Sequence, residues 1–174
     1  TQKFDERRAG EASKTWAPHR FGELWHANWV IVGYGHIGRN VAKRAKAFDS
    51  HITVIRRTQA TDEFIDVNAP PQAILEHLPT ADFVVLACPA TDETRGMANA
   101  EFFAAMKPGS LLVNIARGAL VDEETLMAGL DAGRPGRAVL DVFNEEPLPQ
   151  SSALWTHPGV TITAHISNAG SGTR

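Results

Sequence analysis

Three polar residues in the second half of the chain could together perform proton transfer on a small anionic substrate. Arg117, Glu146 and His165 each stand just beyond a run of strand-forming residues. An arginine can hold and polarise an α-keto acid through paired hydrogen bonds. An imidazole beside a carboxylate is a general acid, because the negative charge favours the imidazolium form. Spacing alone leaves a simpler interpretation open, in which two are surface charges and the third is a loop histidine.

A glycine-rich turn in the first half of the chain could bind the phosphates of a dinucleotide. It comprises Gly33, Tyr34, Gly35, His36, Ile37 and Gly38. This G-x-G-x-x-G follows the apolar run 29–32 and opens the amphipathic stretch 39–48, which is the context that a dinucleotide-binding fingerprint requires. The glycines permit a tight turn, close approach of a pyrophosphate and close packing of helix on strand. The alternative is a tight strand-to-helix turn without a ligand.

The residues after the second predicted strand indicate which dinucleotide is preferred. An enzyme that prefers NAD usually has an acid about 20 residues beyond the glycines, where it holds the ribose 2′-hydroxyl. Here Arg56, Arg57 and Thr58 occupy that position instead. A guanidinium can donate two hydrogen bonds to a 2′-phosphate and can stack on the adenine. We therefore expect NADP(H) to be preferred, with NAD(H) as the alternative cofactor; two solvated arginines are the other interpretation.

Strand and helix signals alternate along the chain, as they do in a doubly wound parallel sheet. The predicted strands cover 28–33, 51–55, 82–87, 111–115, 138–142 and 160–163, and the predicted helices cover 36–48, 70–77, 100–105 and 122–130. Right-handed crossovers would place these six strands in the order 3-2-1-4-5-6. The expected fold is α/β of the Rossmann type, with helices on both faces of the sheet.

Composition narrows the class of protein further. The chain has 174 residues, is 43% hydrophobic and carries a net charge of -3, so it is most simply one domain without an expected nucleic-acid or membrane partner. The single Cys88 cannot form an internal disulfide, which favours a cytoplasmic setting, and we expect it to be a buried small side chain. The seven histidines are scattered without ligand spacing, so no metal site is predicted.

Several longer motifs resemble the D-isomer-specific 2-hydroxyacid dehydrogenases. This family includes phosphoglycerate, glycerate, formate and D-lactate dehydrogenases and the glyoxylate/hydroxypyruvate reductases. The resemblance extends from about Trp16 to the C-terminus, and its motifs are 33–38, 91–96, 106–118, 140–149 and 163–167. In the family, the arginine of N-x-x-R-G binds the substrate, and the glutamate of an E-P pair tunes the histidine that exchanges the proton. The resemblance gives these roles to Arg117, Glu146 and His165.

The resemblance also implies contacts with the cofactor. It places Asp141 beside the nicotinamide carboxamide. It further implies that the cofactor is lined by Cys88, Pro89, Thr94 and the backbone of Ile115 and Ala116. The substrate implied is a small 2-keto or 2-hydroxy acid.

The chain departs from the family pattern at two places. Ala164 stands where a proline usually precedes the histidine, so the loop carrying His165 is less rigid by sequence. Asp49 and Ser50 stand where a glycine often ends the first helix of the fold. Aspartate tolerates the left-handed conformation better than most residues, so we expect that turn to form.

The family comparison implies a domain that this segment does not supply. Residues 1–15 resemble a helix that packs in the family's dimer interface, so a homodimer is expected, and 16–174 form the dinucleotide-binding domain. The substrate domain of the family is absent from the sequence, and both ends of the chain look cut. We therefore expect the isolated chain to bind dinucleotide while being catalytically inactive.

Two other functions are compatible with the same fold. Transcriptional co-repressors of the family use dinucleotide occupancy to control partner binding, and a remnant could bind the cofactor without catalysis. The intact set of Arg117, Glu146 and His165 and the lack of a basic face favour the enzyme.

Overall fold

The computed structural model describes residues 4–16, 18 and 22–167. Its strands are β1 (Asn28–Val32), β2 (His51–Ile55), β3 (Val67–Ala69), β4 (Phe83–Leu86), β5 (Leu111–Asn114), β6 (Arg137–Leu140) and β7 (Val160–Ile162). Its α-helices are α1 (Phe4–Ala12), α2 (His36–Lys46), α3 (Ile74–His77), α4 (Ala100–Ala105) and α5 (Glu123–Asp131). From β1 to β6 strands and helices alternate as the sequence predicts, except that β3 follows β2 directly; in the described residues 141–159 no α-helix separates β6 from β7. The first residues of the predicted helix 1–15 and the segment 168–174 lie outside the described residues.

All seven strands pair in parallel in the order β3-β2-β1-β4-β5-β6-β7. The predicted strand order is wrong in one respect: the strand 82–87 was expected at the edge beside 51–55, whereas β4 pairs with β1. The edge position belongs to β3, which sequence reasoning missed because it is three residues long and has the polar Asn68 at its centre. Once β3 is counted, the 3-2-1-4-5-6 pattern of the fold is restored and β7 extends it.

Alternate residues of the central strands pack on opposite faces of the sheet. On one face, Ile31 and Val54 pack with Ala42 and Ala45 of α2. On the other face, Val30 and its neighbours pack with residues from α3, α4 and α5 and with Leu78, which follows α3; the helix residues are Ile74, Phe102, Phe103, Leu126 and Leu130. The prediction of a doubly wound sheet with helices on both faces is confirmed.

The turn between β1 and α2 has no space for side chains at two of its glycines. Gly33 has a positive φ of 94°, and a β-carbon there would lie 2.7 Å from the Ala87 carbonyl oxygen. A β-carbon on Gly38 would lie 2.2 Å from the carbonyl oxygen of Gly33. The two glycines therefore bring the first turn of α2 directly against the carboxyl end of β1.

The turn that leads from α2 to β2 confirms the expectation for Asp49. Its φ is 53°, in the left-handed region, and its carboxylate accepts a hydrogen bond from Trp25 Nε1 at 3.3 Å. The predicted N-caps of two helices are confirmed as well: Asn99 accepts from Phe102 N, and Asp122 accepts from Glu124 N and Thr125 N. Within the described ranges, no helix is long and apolar enough to cross a membrane.

The backbone strain at Asp49 can be measured with two substitutions that both remove the hydrogen bond from Trp25. Asp49→Ala should have a free energy of unfolding about 1 kcal/mol lower than Asp49→Gly, because only glycine adopts the left-handed conformation without a steric cost. Urea unfolding of the two variants, followed by far-UV circular dichroism, provides the comparison. Equal stabilities of the alanine and glycine variants would contradict the left-handed turn.

Candidate active site

A cavity of about 730 Å³ opens at the carboxyl ends of the central strands. Among the residues predicted from the sequence, it is lined by Ile37, Cys88, Pro89, Ile115, Ala116, Arg117, Glu146 and His165. These residues follow five different strands, and they meet because the carboxyl ends of parallel strands share one edge of the sheet. The tertiary structure therefore brings all three candidate catalytic residues to one cavity.

Sequence reasoning missed other residues that line this cavity, namely Ala87, Ala90, Gly118, Ala119, Phe143 and Asn144. Each lies within two residues of a predicted site residue, and three of them, Gly118, Phe143 and Asn144, lie within the motifs already singled out. Their contribution is the shape of the wall, and small or backbone-contributing residues have no chemical signature that would mark them. Position next to a motif residue was the one available signal.

Glu146 and His165 form a hydrogen-bonded pair across the cavity wall. The Glu146 Oε2 atom lies 2.7 Å from His165 Nδ1, and Glu146 Oε1 accepts a hydrogen bond from Phe143 N at 2.9 Å. The hydrogen bond to His165 and the one from Phe143 hold the pKa of Glu146 below its ordinary value. The carboxylate is therefore ionised at neutral pH and orients the imidazole with Nε2 left for another partner.

The loop that carries His165 is held by Asp141, at the end of β6. The Asp141 carbonyl oxygen accepts a hydrogen bond from His165 N at 2.8 Å, and its carboxylate accepts from Ile166 N at 3.0 Å and from Ser167 N at 3.1 Å. Thr163 Oγ1 donates to the same carboxylate. These bonds stabilise a strained residue, since the φ of His165 is 52°. Hydrogen bonds thus fix this loop without the proline that Ala164 replaces.

The carboxylate of Asp141 is buried, with only 1% of the residue exposed. Burial raises the pKa of Asp141, but the hydrogen bonds from Ser167, Thr163 and Ile166 outweigh that effect and lower the pKa to about 2. Asp141 does not line the cavity. Its expected place beside the nicotinamide carboxamide stays a prediction.

Arg117 is presented to the cavity by a turn that Asn114 organises. Asn114 Nδ2 donates to the Arg117 carbonyl oxygen at 2.9 Å, and Asn114 Oδ1 accepts from Ala116 N at 3.2 Å. The exposed guanidinium of Arg117 donates to the Ala116 carbonyl oxygen at 2.6 Å. A carbonyl is a weaker partner for a guanidinium than a carboxylate is, so this contact can yield to an anionic substrate.

The middle glycine of the predicted phosphate turn differs from the other two. A β-carbon on Gly35 would meet nothing within 4 Å, so the packing of the chain itself does not require glycine there. Gly35 is the N-cap of α2, whose eleven residues begin at His36 with unpaired N–H groups. Open space in front of a helix N-terminus suits the close approach of an anion.

Arg56, Arg57 and Thr58 lie together after β2. Arg56 Nη2 donates to Thr58 Oγ1 at 2.9 Å, and the exposed Arg57 Nη1 lies 3.7 Å from Glu93 Oε2.

On the other side of β1, Thr94 Oγ1 donates to the Pro89 carbonyl oxygen at 2.8 Å and makes the loop after β4 compact. Cys88 is buried, as expected, and burial raises the pKa of its thiol.

An acidic residue near the glycine turn escaped the sequence prediction. Asp62 receives a hydrogen bond from Arg39 Nε at 2.6 Å, and Arg39 also lies over the ring of Phe64. Burial and the Asp62 carboxylate raise the pKa of Tyr34, so the tyrosine, Arg39 and Asp62 form one cluster beside the turn. Asp62 lies in the loop before β3, too far along the sequence for the ribose-acid spacing to indicate it.

Across the described part of the chain, no group of three or more His, Cys, Asp or Glu side chains is arranged to hold a metal ion.

The chain belongs to the D-isomer specific 2-hydroxyacid dehydrogenases, whose NAD binding domain matches residues 1–167. The fold, the glycine turn and the order of the motifs agree with that membership, and the resemblance seen in the sequence is confirmed. The sheet of this chain is that of a Rossmann-type nucleotide-binding domain.

The relatives are dehydrogenases and reductases of twice this length. Glyoxylate reductase of Pyrococcus furiosus is 39% identical over 161 residues, covering 86% of this chain and 48% of that protein. A family protein from Aeromonas salmonicida has a structure similar with a TM-score of 0.90 at 34% identity, covering 94% of this chain and 53% of that one. A second similar structure is that of an NADPH-dependent glyoxylate/hydroxypyruvate reductase from Sinorhizobium meliloti in complex with NADP and sulfate. Its TM-score is 0.86 at 27% identity, and the match covers 95% of this chain and 54% of that one. This chain thus spans about half the length of the relatives it matches.

The hydrogen bonds to Asp141 predict a specific loss of stability in acid. A carboxylate with a lowered pKa stabilises the fold above its unfolded pKa, and that contribution disappears as the pH falls toward its folded pKa of about 2. Between pH 5 and 3, the wild-type chain should lose about 1 kcal/mol more of its unfolding free energy than Asp141→Asn does. Urea unfolding at several pH values measures the difference.

Asp92→Asn is the matched control, because it removes an exposed carboxylate from a loop. The control should follow the wild-type pH dependence closely. A pH dependence of Asp141→Asn equal to that of the wild type would show that the Asp141 carboxylate does not hold the loop.

Proposed function

We propose that the protein reduces a small 2-keto acid to the 2-hydroxy acid, and catalyses the reverse oxidation, with NADP(H) as its preferred cofactor. This chain supplies the cofactor-binding domain and one wall of the active cleft. The observation that carries the proposal is the 2.7 Å contact between Glu146 and His165 in the same cavity as Arg117. A proton donor beside a carboxylate-binding cation is the chemical requirement of keto-acid reduction.

The residues of the glycine turn fit a bound dinucleotide. The open position at Gly35 and the N-terminus of α2 would hold the pyrophosphate, and the cavity from Ile37 to Ala116 would take the nicotinamide end. When bound, the reduced dinucleotide supplies the hydride that is added to C2 of the keto acid.

His165 supplies the proton for the same reaction. Its Nδ1 atom faces Glu146, so Nε2 is the atom available to the substrate carbonyl oxygen. As C2 gains the hydride, the carbonyl oxygen takes the proton from Nε2, and the product is a hydroxyl group. The ionised Glu146 stabilises the imidazolium before transfer and fixes its orientation. In the direction of oxidation the neutral imidazole takes the proton back.

Arg117 binds the substrate carboxylate and polarises the carbonyl. The guanidinium exchanges its bond to the Ala116 carbonyl oxygen for a charge-assisted pair with the keto acid. Such positioning contributes several kcal/mol to catalysis when both walls of a cleft hold the substrate, and closure by the second wall would exclude water.

The cluster after β2 supports the preference for NADP(H). Two guanidinium groups and the Thr58 hydroxyl follow β2, where the adenosine ribose of a bound dinucleotide would lie, and the Asp62 carboxylate in the next loop is engaged by Arg39. The Sinorhizobium meliloti relative is described as NADPH-dependent, which supports the same preference.

The reductase is better supported than the two alternatives. A dinucleotide-sensing module or a cofactor-binding remnant has no need of a glutamate that holds an imidazole in one orientation. For the whole protein we further propose a homodimer in the cytoplasm. The family's dimer helix, which residues 1–15 resemble, and the single free cysteine support these two points.

Activity of the full-length protein tests the proposed function. Oxidation of NADPH should be rapid with glyoxylate or hydroxypyruvate. The variant Glu146→Gln should lower kcat at least about tenfold, because the neutral amide no longer holds the His165 imidazole in one orientation. Absorbance at the reduced nicotinamide band gives both readings. No turnover with any 2-keto acid would contradict the proposed function, and an unchanged kcat in Glu146→Gln would contradict the role of Glu146.

The cofactor preference can be measured on this chain alone. We expect NADPH to bind at least about tenfold more tightly than NADH, a difference of about 1.4 kcal/mol, because of the paired hydrogen bonds from the arginines to the 2′-phosphate. Arg56→Ala should remove much of this difference. Arg137→Ala removes the same charge from the start of β6, at the opposite end of the strands, and should leave the difference intact. Titration by nucleotide fluorescence measures the dissociation constants of both cofactors. Equal affinities of the wild-type chain for NADPH and NADH would refute the preference.

A further inference from the structure

We propose that Glu93 is a specificity-determining residue, which weakens the discrimination between NADPH and NADH by competing with the 2′-phosphate for Arg57. The proposal rests on the proposed function, in that it takes the dinucleotide to lie across the glycine turn. It concerns an acidic residue that makes no contact with the cavity of the catalytic groups.

The ion pair between Arg57 and Glu93 crosses the end of β1. Arg57 follows β2 and Glu93 lies in the loop after β4, and these two strands are the neighbours of β1 in the sheet. The Arg57 Nη1 and Glu93 Oε2 atoms are 3.7 Å apart. The pair therefore spans the groove into which the glycine turn opens, at the end where Arg56 and Thr58 also lie.

The backbone of the acidic residue is held in place by a compact turn. Thr94 N and Arg95 N both donate to the Thr91 carbonyl oxygen, at 3.1 Å and 2.9 Å. Thr94 Oγ1 accepts a hydrogen bond from Thr91 N and donates to the carbonyl oxygen of Pro89, both at 2.8 Å. Because the turn fixes its backbone, Glu93 stays near the groove after a ligand has taken its partner.

The two arginines of the cluster differ in their partners. Arg56 is bonded to a neutral hydroxyl, and within the residues that the structure describes it has no carboxylate at ion-pair distance. Arg57 is the one whose charge a carboxylate partly neutralises. Loss of the Glu93 charge should therefore act mainly through Arg57.

The ion pair is weak enough to yield to a phosphate. The side chains of Arg57 and Glu93 are 74% and 73% exposed, and pairs of this kind contribute little to stability because water and salt screen them. A 2′-phosphate carries about two negative charges and can accept two hydrogen bonds from one guanidinium, so it displaces the carboxylate. The displaced carboxylate then repels the phosphate across a distance of several ångströms. NADH, which lacks the phosphate, experiences neither effect.

Removal of the Glu93 charge should therefore strengthen the binding of NADPH and leave the binding of NADH unchanged. In Glu93→Gln the dissociation constant for NADPH should fall about threefold, and that for NADH should stay within the error of the measurement. The gain should shrink in 0.5 M salt, where the screening length is only about 4 Å. Titration of the wild-type chain and of Glu93→Gln by nucleotide fluorescence, with each cofactor at low and at high salt, provides the dissociation constants.

Two further variants isolate the contribution of the ion pair. Asp92→Asn removes the same charge from the adjacent position of the turn, outside the ion pair, and should increase the affinity for NADPH less than Glu93→Gln does. When Glu93→Gln is introduced into Arg57→Ala, it should lose most of its effect, because the guanidinium for which the carboxylate and the phosphate compete is no longer present.

Each outcome bears on the proposal. An equal change in the dissociation constants of NADPH and NADH would show that the ion pair only shapes the groove, and the proposal would be overturned. Weaker binding of NADPH to Glu93→Gln than to the wild type would also overturn the proposal. If the wild-type chain binds NADPH and NADH equally tightly, and Glu93→Gln binds NADPH more tightly than the wild type does, the role of Glu93 is supported and the cofactor preference is refuted. Failure of the wild-type chain to bind either nucleotide would overturn the proposal together with the proposed function.

Discussion

The contact between the first turn of α2 and the carboxyl end of β1 is the constraint on which the rest of the site depends. The absence of a β-carbon at Gly38 lets the helix approach the Gly33 carbonyl, where any side chain would collide. This contact directs the N-terminus of α2 toward the carboxyl ends of the strands, and β1 itself lies between β2 and β4. The loops after β2 and β4 then lie on its two sides, next to the N-terminus of α2.

The catalytic half of the cavity depends on a different kind of interaction. His165 adopts a left-handed conformation that costs about 1 kcal/mol in a residue with a β-carbon. Asp141 offsets that cost with hydrogen bonds to several consecutive residues of the loop, while Glu146 fixes the imidazole from the other side. The two carboxylates thus have different roles: the buried Asp141 holds the backbone of the loop, and the more exposed Glu146 orients the His165 ring.

The charges around the groove differ in how firmly they are held. Arg39 and Asp62 form a close, partly shielded pair beside the glycine turn. Arg117 and Arg57 are instead exposed and bonded to partners that an anionic ligand can replace. A binding site needs both kinds, because the fixed charges shape the groove and the exchangeable ones leave it ready for phosphate or carboxylate.

Local patterns were sufficient to predict most elements of the fold and most groups of the site. The apolar runs, the N-caps at Asn99 and Asp122 and the left-handed turn at Asp49 depend on neighbours in the sequence, and all three kinds of prediction are confirmed. Chemically distinctive residues such as Arg117 could be singled out because each follows a buried strand. Such features can be predicted because the forces that produce them act over a few residues.

What the sequence by itself could not determine depended on contacts between distant segments. The short β3 has no apolar run of its own, and it becomes a strand because β2 offers it an unpaired edge; its omission caused the misplacement of β4. The pairing of Arg57 with Glu93 and of Arg39 with Asp62 likewise joins loops that follow different elements. The hydrogen bonds of Asp141 also required the fold, since one carboxylate can serve the 163–167 loop only after β6 and β7 have paired. Residue types and order determined the chemistry available, and the parallel sheet decided which groups met, because it aligns the ends of strands that are far apart in the chain.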